Sequence, residues 1–196
     1  RQKGQSARDF YPYPYPYPSL VVNTNEDSDD GFCDTYLVGV TDCTLREAII
    51  YANSNPGTWT ITFADNYTIT LGSQLPTVTS TIIINGNGAG NTIIQANAAP
   101  NTATYRVFQV GNSGNLTLDS LTVRHGRCNF SCATSLTDGG GAYNTGALTV
   151  TNSTISGNSA SGNGGGIANF GTSTVTNSTI SGNSAASGGG IGKYGI

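Results

Sequence analysis

Residues 149–160 read TVTNSTISGNSA, and the same twelve residues recur without change at residues 174–185, an offset of 25. Triple glycines at 139–141, 164–166 and 188–190 follow at nearly the same interval. Each copy places short runs rich in Thr, Val and Ile between Asn, Ser and Gly, the residues that favour turns. This pattern predicts two or three short β-strands and no helix in each copy.

A more diverged copy lies upstream, in residues 115–123, which read NLTLDSLTV. Its apolar residues Leu116, Leu118 and Val123 align with those of the next copy, Leu148, Val150 and Ile155. The spacing between these two copies is 32 because a loop that contains two cysteines is inserted. The repeat is therefore imperfect, but it extends well beyond the identical pair. Further short β-branched runs are found at residues 58–63, 67–71, 81–84 and 92–94.

A period in the low to mid twenties with only short strands restricts the architecture. A propeller blade needs about 40 residues, and leucine-rich repeats need their own Leu/Asn framework. We therefore predict an all-β fold, a right-handed parallel β-helix (solenoid) in which each repeat forms one coil. Asn152 and Asn158 would then stack on Asn177 and Asn183 as ladders, or would simply suit tight turns.

The chain divides into three regions. Residues 1–19 are a tail that ends in an alternation of tyrosine and proline and is therefore extended. Residues 20–57 form an N-terminal cap with an acidic loop and one short helix, and residues 58–196 form the β-helix coils. The helix begins at a capping box, Thr44 with Glu47, and its apolar face comprises Leu45, Ala48, Ile49 and Ala52.

The composition favours an extracellular location, with the chain secreted or at the cell surface. Only 10% of the residues are charged, and the net charge of -3 provides no cationic stripe for nucleic acid. No apolar run approaches the ~20 residues of a membrane span. The chain begins at Arg1 without a signal region, which we interpret as a mature form or an excerpt. The four cysteines form local pairs, Cys33 with Cys43 and Cys128 with Cys132, and we expect both pairs to be oxidised.

Residues 43–48, CTLREA, follow the acidic segment 27–33, DSDDGFC. Together with residues 85–94 and the repeats, they resemble a family of secreted bacterial β-helix proteins marked by a C-S-L-R-E-A motif. The resemblance covers about residues 20–196 and departs from the motif only at Thr44. Such proteins are similar both to pectate-lyase-like coils and to repeats of outer-membrane surface proteins. The resemblance therefore implies fold and secretion but no particular activity.

The acidic loop is the candidate metal site. Its carboxylates are dense enough to bind calcium through oxygen ligands, although their spacing is not that of the helix-loop-helix calcium motif. The alternative is a polar loop that is held in place by Cys33. The candidate ligands are Asp27, Asp29, Asp30 and Asp34.

The sequence contains little evidence of a catalytic site. β-Helix enzymes that cleave polysaccharides need clustered carboxylates, whereas after residue 85 the chain has only Asp119 and Asp138. The single histidine, His125, lies between Arg124 and Arg127 and has no identifiable partner. A solvated turn with basic residues is the favoured interpretation of this segment.

We predict an extracellular structural or adhesive protein that associates end to end into a filament. Its last coil would present an open edge, and the tail would contact a neighbouring copy through Tyr11, Tyr13, Tyr15 and Tyr17. The alternative is a carbohydrate-active enzyme, a polysaccharide lyase or hydrolase, on the same scaffold. Glycan acceptor sequons, which matter only in a host that glycosylates, occur at Asn66, Asn115, Asn129, Asn152 and Asn177.

Overall fold

The computed structural model describes residues 18–31, 33, 42–130, 132 and 137–193. Its elements in chain order are β1 (Ser19–Val22), α1 (Leu45–Ser54), β2 (Thr58–Phe63), β3 (Thr68–Thr70), β4 (Thr81–Asn85), β5 (Ile93–Gln95), β6 (Phe108–Val110), β7 (Asn115–Asp119), β8 (Thr122–Arg124), β9 (Arg127–Cys128), β10 (Ala142–Asn144), β11 (Ala147–Thr151), β12 (Thr154–Ser156), β13 (Ser159–Ala160), β14 (Ile167–Asn169), β15 (Thr172–Thr176), β16 (Thr179–Ser181) and β17 (Ile191–Lys193).

These strands form four parallel sheets. Sheet A has the order β1-β2-β4-β7-β11-β15, sheet B β3-β5-β8-β12-β16, sheet C β6-β10-β14-β17, and sheet D β9-β13. The chain passes from sheet A to sheet B and then towards sheet C before it returns to sheet A. We call each such passage a repeat and name it by its strand in sheet A. The β7, β11 and β15 repeats are the last three among the described residues.

The strand registers match the alignment made from the sequence. Leu116 pairs with Leu148 and Leu118 with Val150 in sheet A, and Val123 pairs with Ile155 in sheet B. These side chains are almost completely buried. Because side chains alternate between the two faces of a strand, the residues between them point outward and are mostly Thr and Ser. The predicted mainly β fold with parallel sheets and one helix among the described residues is confirmed.

Two corners of the repeat use left-handed backbone. Between sheets A and B this position is occupied by Ser120, Asn152 and Asn177, with φ of 56°, 50° and 49°. After sheet B, the equivalent position is occupied by His125, Gly157 and Gly182, with φ of 60°, 62° and 60°. Asn and Gly tolerate this region best, which explains why the repeated NST and SGN triplets are retained at these corners.

Helix α1 covers the first strands of sheet A. Thr44 and Glu47 form both bonds of the predicted capping box. Leu45, Ala48, Ile49 and Ala52 are buried, and the helix packs against β1, β2 and β4. The predicted apolar face of α1 is therefore confirmed, and it packs against the first three strands of sheet A.

Both expected disulfides are present, Cys33–Cys43 and Cys128–Cys132. The first connects the acidic loop to the start of α1, and the second closes the insertion in the β7 repeat. The predicted tail boundary at residue 19 shifts slightly, because Ser19 belongs to β1 and the Pro18 carbonyl accepts from Thr60 N–H. The tyrosines proposed for self-association, Tyr11, Tyr13, Tyr15 and Tyr17, lie outside the described residues.

Replacing Leu45 by Asp should destabilise the protein by more than about 3 kcal/mol, since it places an unpaired carboxylate in the apolar contact beneath α1. The exposed Ser54 on the same helix is the matched control, and Ser54→Asp should change stability by less than about 1 kcal/mol. Thermal and urea unfolding measure both variants. Equal stability of the two variants would show that α1 is not a required cover.

Candidate functional site

The acidic loop is bound to α1 by the arginine of the CTLREA motif. Arg46 forms an ion pair with Asp27 at 2.7 Å, and both side chains are largely buried. The same guanidinium donates to the carbonyls of Ser73 and Gln74, at 2.9 and 3.0 Å. Arg46 thus connects three segments that are far apart in sequence, because its planar head supplies several donors in fixed directions.

The threonine and glutamate of the motif complete this attachment. Thr44 Oγ1 donates to the Ser28 carbonyl at 2.9 Å while it accepts the Glu47 amide within the capping box. Glu47 accepts from the backbone amides of Asp30 and Thr44, at 2.9 and 2.8 Å. A serine hydroxyl could make the same two hydrogen bonds as Thr44, so threonine in place of the serine of the C-S-L-R-E-A motif preserves the network.

The candidate calcium ligands have separate roles. Asp27 is paired with Arg46 and also accepts from Gly72 N–H, while Asp29 accepts from Gly31 N–H in a local turn. Asp34 lies outside the described residues. Within residues 18–31, 33, 42–130, 132 and 137–193, no group of three or more His, Cys, Asp or Glu could hold a metal ion. In the described chain, Asp27 and Asp29 therefore fasten the loop.

The predicted asparagine ladders are present. Asn177 donates to Asn152 Oδ1 at 2.6 Å, and Asn152 donates to Asp119 Oδ1 at 3.0 Å, which makes an exposed ladder at the first corner. At the second corner, Asn158 donates to Asn183 Oδ1 at 3.0 Å and to the Val123 carbonyl, and accepts from Gly126 N–H at 2.8 Å. Asn158 is buried, so these bonds satisfy backbone groups that water cannot reach.

Two further polar pairs were not expected from the sequence. Asn144 donates to Asn169 inside sheet C, and Asp138 accepts from the backbone and side chain of Asn163. Both pairs are separated by 25 residues, the period of the repeat. Applying that period to every polar residue near the triple glycines would have found them.

A basic corner, formed by Arg124, His125 and Arg127, lies after sheet B in the β7 repeat. His125 Nδ1 lies 2.9 Å from the Asn97 carbonyl, and Arg127 Nη1 donates to the Asn101 carbonyl at 2.9 Å. Because a carbonyl only accepts, Nδ1 carries the hydrogen in this contact. The three basic side chains are partly exposed, and within this turn His125 and Arg127 also contact the backbone of residues 97–101.

Arg124 belongs to a row of polar side chains across sheet B. Its Nε donates to Gln95 Oε1 at 2.8 Å, and Gln95 Nε2 donates to Thr70 Oγ1 at 2.8 Å. The strand registers continue this row through Ser156 to Ser181. We call it the polar row; its members are Thr70, Gln95, Arg124, Ser156 and Ser181.

The two late carboxylates do not form a catalytic pair in the hydrogen-bond network. Asp119 accepts from Ser120 and Asn152 at the end of β7, whereas Asp138 accepts from Asn163 before β10. Near Asp138, Arg106 is buried, donates to the Asp138 carbonyl at 3.0 Å and lies over the Tyr143 ring.

Burial shifts the pKa of both side chains in this Arg106–Tyr143 contact. Loss of solvent lowers the pKa of the Arg106 guanidinium and raises the pKa of the Tyr143 hydroxyl, so each shift favours the neutral form. The guanidinium lies 4.9 Å from the ring centroid, where it is attracted by the negative face of the ring. This arrangement stabilises the packing beside sheet C.

The sequons differ in the environment of their asparagines. Asn66 and Asn115 are exposed, and Asn115 starts a strand of sheet A. Asn152 and Asn177 are also exposed, but their amide nitrogens donate within the ladder. A glycan would compete with those hydrogen bonds. Asn129 is partly buried in the insertion of the β7 repeat.

Strand β15 is the last strand of sheet A in the described chain. Thr172 N–H donates to the Gly146 carbonyl, and the Thr176 carbonyl accepts from Asn152 N–H. Because backbone groups alternate along a strand, the N–H and C=O of Ser173 and Val175 point to the opposite side, which we call the β15 edge. Val175 and Ile180 are only partly buried, although their counterparts Val150 and Ile155 are fully buried.

In the described part of the chain, no helix has the length and apolarity that crossing a membrane requires. The sequence matches no protein-family model, and neither a curated protein nor a solved structure is significantly similar to it.

Replacing Asn158 by Ala should destabilise the protein by about 2–3 kcal/mol, because it leaves the buried Gly126 N–H without an acceptor. Asn91→Ala is the matched control: Asn91 is exposed and makes one side-chain bond, to the Asn87 carbonyl, so the cost should stay below about 1 kcal/mol. Urea unfolding compares the two. A cost at Asn158 no larger than at Asn91 would contradict a structural ladder.

Replacing Arg46 by Gln should cost about 3 kcal/mol, since the largely buried Asp27 carboxylate loses its counter-charge. Adding Asp27→Asn to this variant should recover part of the loss. The two single variants, the double variant and the native protein form a double-mutant cycle. Additive free energies of unfolding would mean that the Arg46–Asp27 contact does not hold the loop.

Proposed function

We propose that this chain is an extracellular right-handed parallel β-helix protein with a structural or adhesive role, and that it self-associates end to end into a surface or matrix filament. The single observation that carries the proposal is the β15 edge, a strand edge with outward backbone groups and partly exposed apolar neighbours. We also propose that the chain is related to the secreted proteins with the C-S-L-R-E-A motif that its sequence resembles.

The β-helix part is supported by the order in which the chain visits the sheets. In a β-helix each strand pairs in parallel with its counterpart one coil away, about 4.8 Å distant. Here every interior strand of sheet A pairs with the preceding and the following repeat, and the interior strands of sheets B and C do the same. The stacked Asn158 and Asn183, which donate to successive repeats, are consistent with such coils.

The extracellular part is supported by the cysteines. Both described pairs are oxidised, and disulfides persist mainly outside the cytosol. The surface also contains few charges and many Thr, Ser and Asn residues. The network of Arg46, Thr44 and Glu47 gives the CTLREA motif a structural task, which is to fasten the acidic loop over the first strands.

Self-association is supported by the contrast between the two ends of sheet A. Helix α1 packs against β1, β2 and β4, whereas at β15, the last strand of sheet A within residues 18–31, 33, 42–130, 132 and 137–193, the side chains of Thr172, Thr174 and Thr176 are exposed. An unpaired edge forms hydrogen bonds with another strand, and a head-to-tail contact of this kind builds an open filament. We propose that a second copy supplies the partner and that the tyrosine-proline tail lies along it.

Ser173→Pro should abolish self-association without unfolding the protein. Proline removes the outward N–H at residue 173 and leaves intact the bonds that Thr172 N–H donates to the Gly146 carbonyl and that the Thr176 carbonyl accepts from Asn152 N–H. Ser173→Ala keeps that N–H and is the control. A variant lacking residues 1–17, which retains the Pro18 carbonyl bond, tests the tail separately.

Light scattering and electron microscopy measure the assemblies, and thermal unfolding checks the fold. We expect filaments from the native chain and from Ser173→Ala, but monomers from Ser173→Pro and shorter assemblies without the tail. A native chain that stays monomeric at high concentration would refute the proposal. Unchanged filaments from Ser173→Pro would exclude the β15 edge as their contact.

A further inference from the structure

The insertion in the β7 repeat is closed by a disulfide whose two cysteines are held differently. Cys128 belongs to β9, where it pairs with Ala160 and its carbonyl accepts from Ser161 N–H at 2.8 Å. Cys132 lies on a turn, in which its N–H donates to the Asn129 carbonyl at 3.0 Å. Opening of this disulfide would therefore leave Cys128 in its strand and separate it from Cys132.

A buried cation lies beside one of the two sulfur atoms. Arg106 Nη2 is 2.9 Å from Cys128 Sγ, and neither side chain is exposed to solvent. The same guanidinium donates to the Gln109 side chain and to the Asp138 carbonyl, at 3.0 Å each. Arginine keeps its charge in proteins, and a disulfide sulfur is only a weak acceptor. A thiolate at the same position would form a charge-assisted hydrogen bond in a poorly screened interior. Arg106 therefore favours a Cys128 thiolate.

The Asp138 carboxylate is a second anion that acts on Arg106. It accepts hydrogen bonds from the backbone and the side chain of Asn163, so other donors already stabilise its charge. Arg106 contacts Asp138 through the main-chain carbonyl. The Nη2 atom is thus directed at a neutral carbonyl and at Cys128 Sγ.

The second disulfide, Cys33–Cys43, has a different environment. Cys43 comes just before α1, and the positive end of a helix also favours a thiolate. Here the Glu47 carboxylate already occupies that end, where it accepts from Thr44 N–H at 2.8 Å. Cys43 Sγ lies 3.8 Å from the Thr44 carbonyl, whose oxygen would repel an anion. A thiolate at Cys43 is therefore stabilised less than one at Cys128.

Exposure alone predicts that Cys33–Cys43 opens first. Cys33 is partly exposed, whereas Cys132 is 8% exposed and Cys128 is fully buried. The loop between Cys128 and Cys132 nevertheless lies at the surface, since the Phe130 side chain is 92% exposed. Stabilising the leaving thiolate by one charge-assisted hydrogen bond changes an exchange rate by about tenfold. We expect that effect to outweigh the difference in exposure.

We propose that the Cys128–Cys132 disulfide is a thiol-exchange site at which a small thiol attaches to Cys132. The thiolate of the small molecule attacks Cys132 Sγ, and a new S–S bond forms as the Cys132–Cys128 bond breaks. The electron pair of the broken bond passes to Cys128 Sγ, which leaves as a thiolate beside Arg106. One disulfide replaces another, so the step needs no reactant besides the small thiol. The site does not use the β15 edge and does not depend on the proposed self-association.

The first test uses the full native chain and reduced glutathione as the small thiol. Acid stops the exchange at successive times, N-ethylmaleimide then labels the free thiols in denaturant, and mass spectrometry of the peptides locates both groups. We expect Cys128–Cys132 to open faster than Cys33–Cys43, with glutathione on Cys132 and maleimide on Cys128. Opening of Cys33–Cys43 first or at the same rate, or glutathione on Cys128, would overturn the proposal.

The second test measures the same rates in variants. Arg106→Gln removes the charge and should slow the opening of Cys128–Cys132 by about tenfold. Arg106→Lys keeps a charge at this position and should recover part of that rate. Arg127→Gln is the matched control: it removes a partly exposed charge next to Cys128 and should change the rate less than about twofold. The rate at Cys33–Cys43 should be the same in every variant.

An unchanged rate in a folded Arg106→Gln would refute the role of the guanidinium, and so would an equal loss in Arg127→Gln. Thermal unfolding shows whether each variant is folded. If Arg106→Gln does not fold, the order of opening and the position of glutathione in the native chain decide the proposal.

Discussion

Backbone pairing between successive repeats is the constraint on which the rest of this structure depends. Each interior strand of sheet A pairs with the strand one repeat earlier and the strand one repeat later, as β11 pairs in unbroken register with β7 and β15. Register then decides which residues face the core, because a shift by one residue would turn every apolar side chain outward. The buried Asn158 and the left-handed corners belong to the same constraint, since both keep successive turns superimposed.

Much of the fold follows from residues that repeat. The identical segments 149–160 and 174–185 predicted parallel strands, and the alignment of Leu116 with Leu148 anticipated the observed register across the insertion. The capping box and the apolar face of α1 were equally local signals. By contrast, nothing local predicted that Arg46 would reach Ser73 and Gln74, because those carbonyls are brought beside it only by the packing of the chain.

The arrangement of the surface side chains was harder to predict, because it depends on which strands pair with one another. In sequence, Arg124, His125 and Arg127 formed an isolated basic cluster, while Thr70, Gln95 and Ser156 were unremarkable polar residues. Only the pairing of β3, β5, β8 and β12 places them beside one another. The density of carboxylates in the acidic loop favours a metal site, which stays a prediction; packing shows in addition that Arg46 and the Gly31 and Gly72 amides use two of these carboxylates.

In a protein built from repeats, a residue that departs from the repeat is not explained by the stacking of successive repeats alone. Asn152 and Asn177 need no function beyond the ladder, since each satisfies its neighbour. Ser173 replaces the leucine of the preceding repeat at an inward position of β15, which makes the last described strand less apolar and suits an edge that meets solvent or another chain. His125 is a stronger departure, because left-handed backbone favours the glycine found in both following repeats. Stacking alone would select glycine there, and the histidine instead makes a contact that glycine could not make, because its Nδ1 lies 2.9 Å from the Asn97 carbonyl in the preceding repeat.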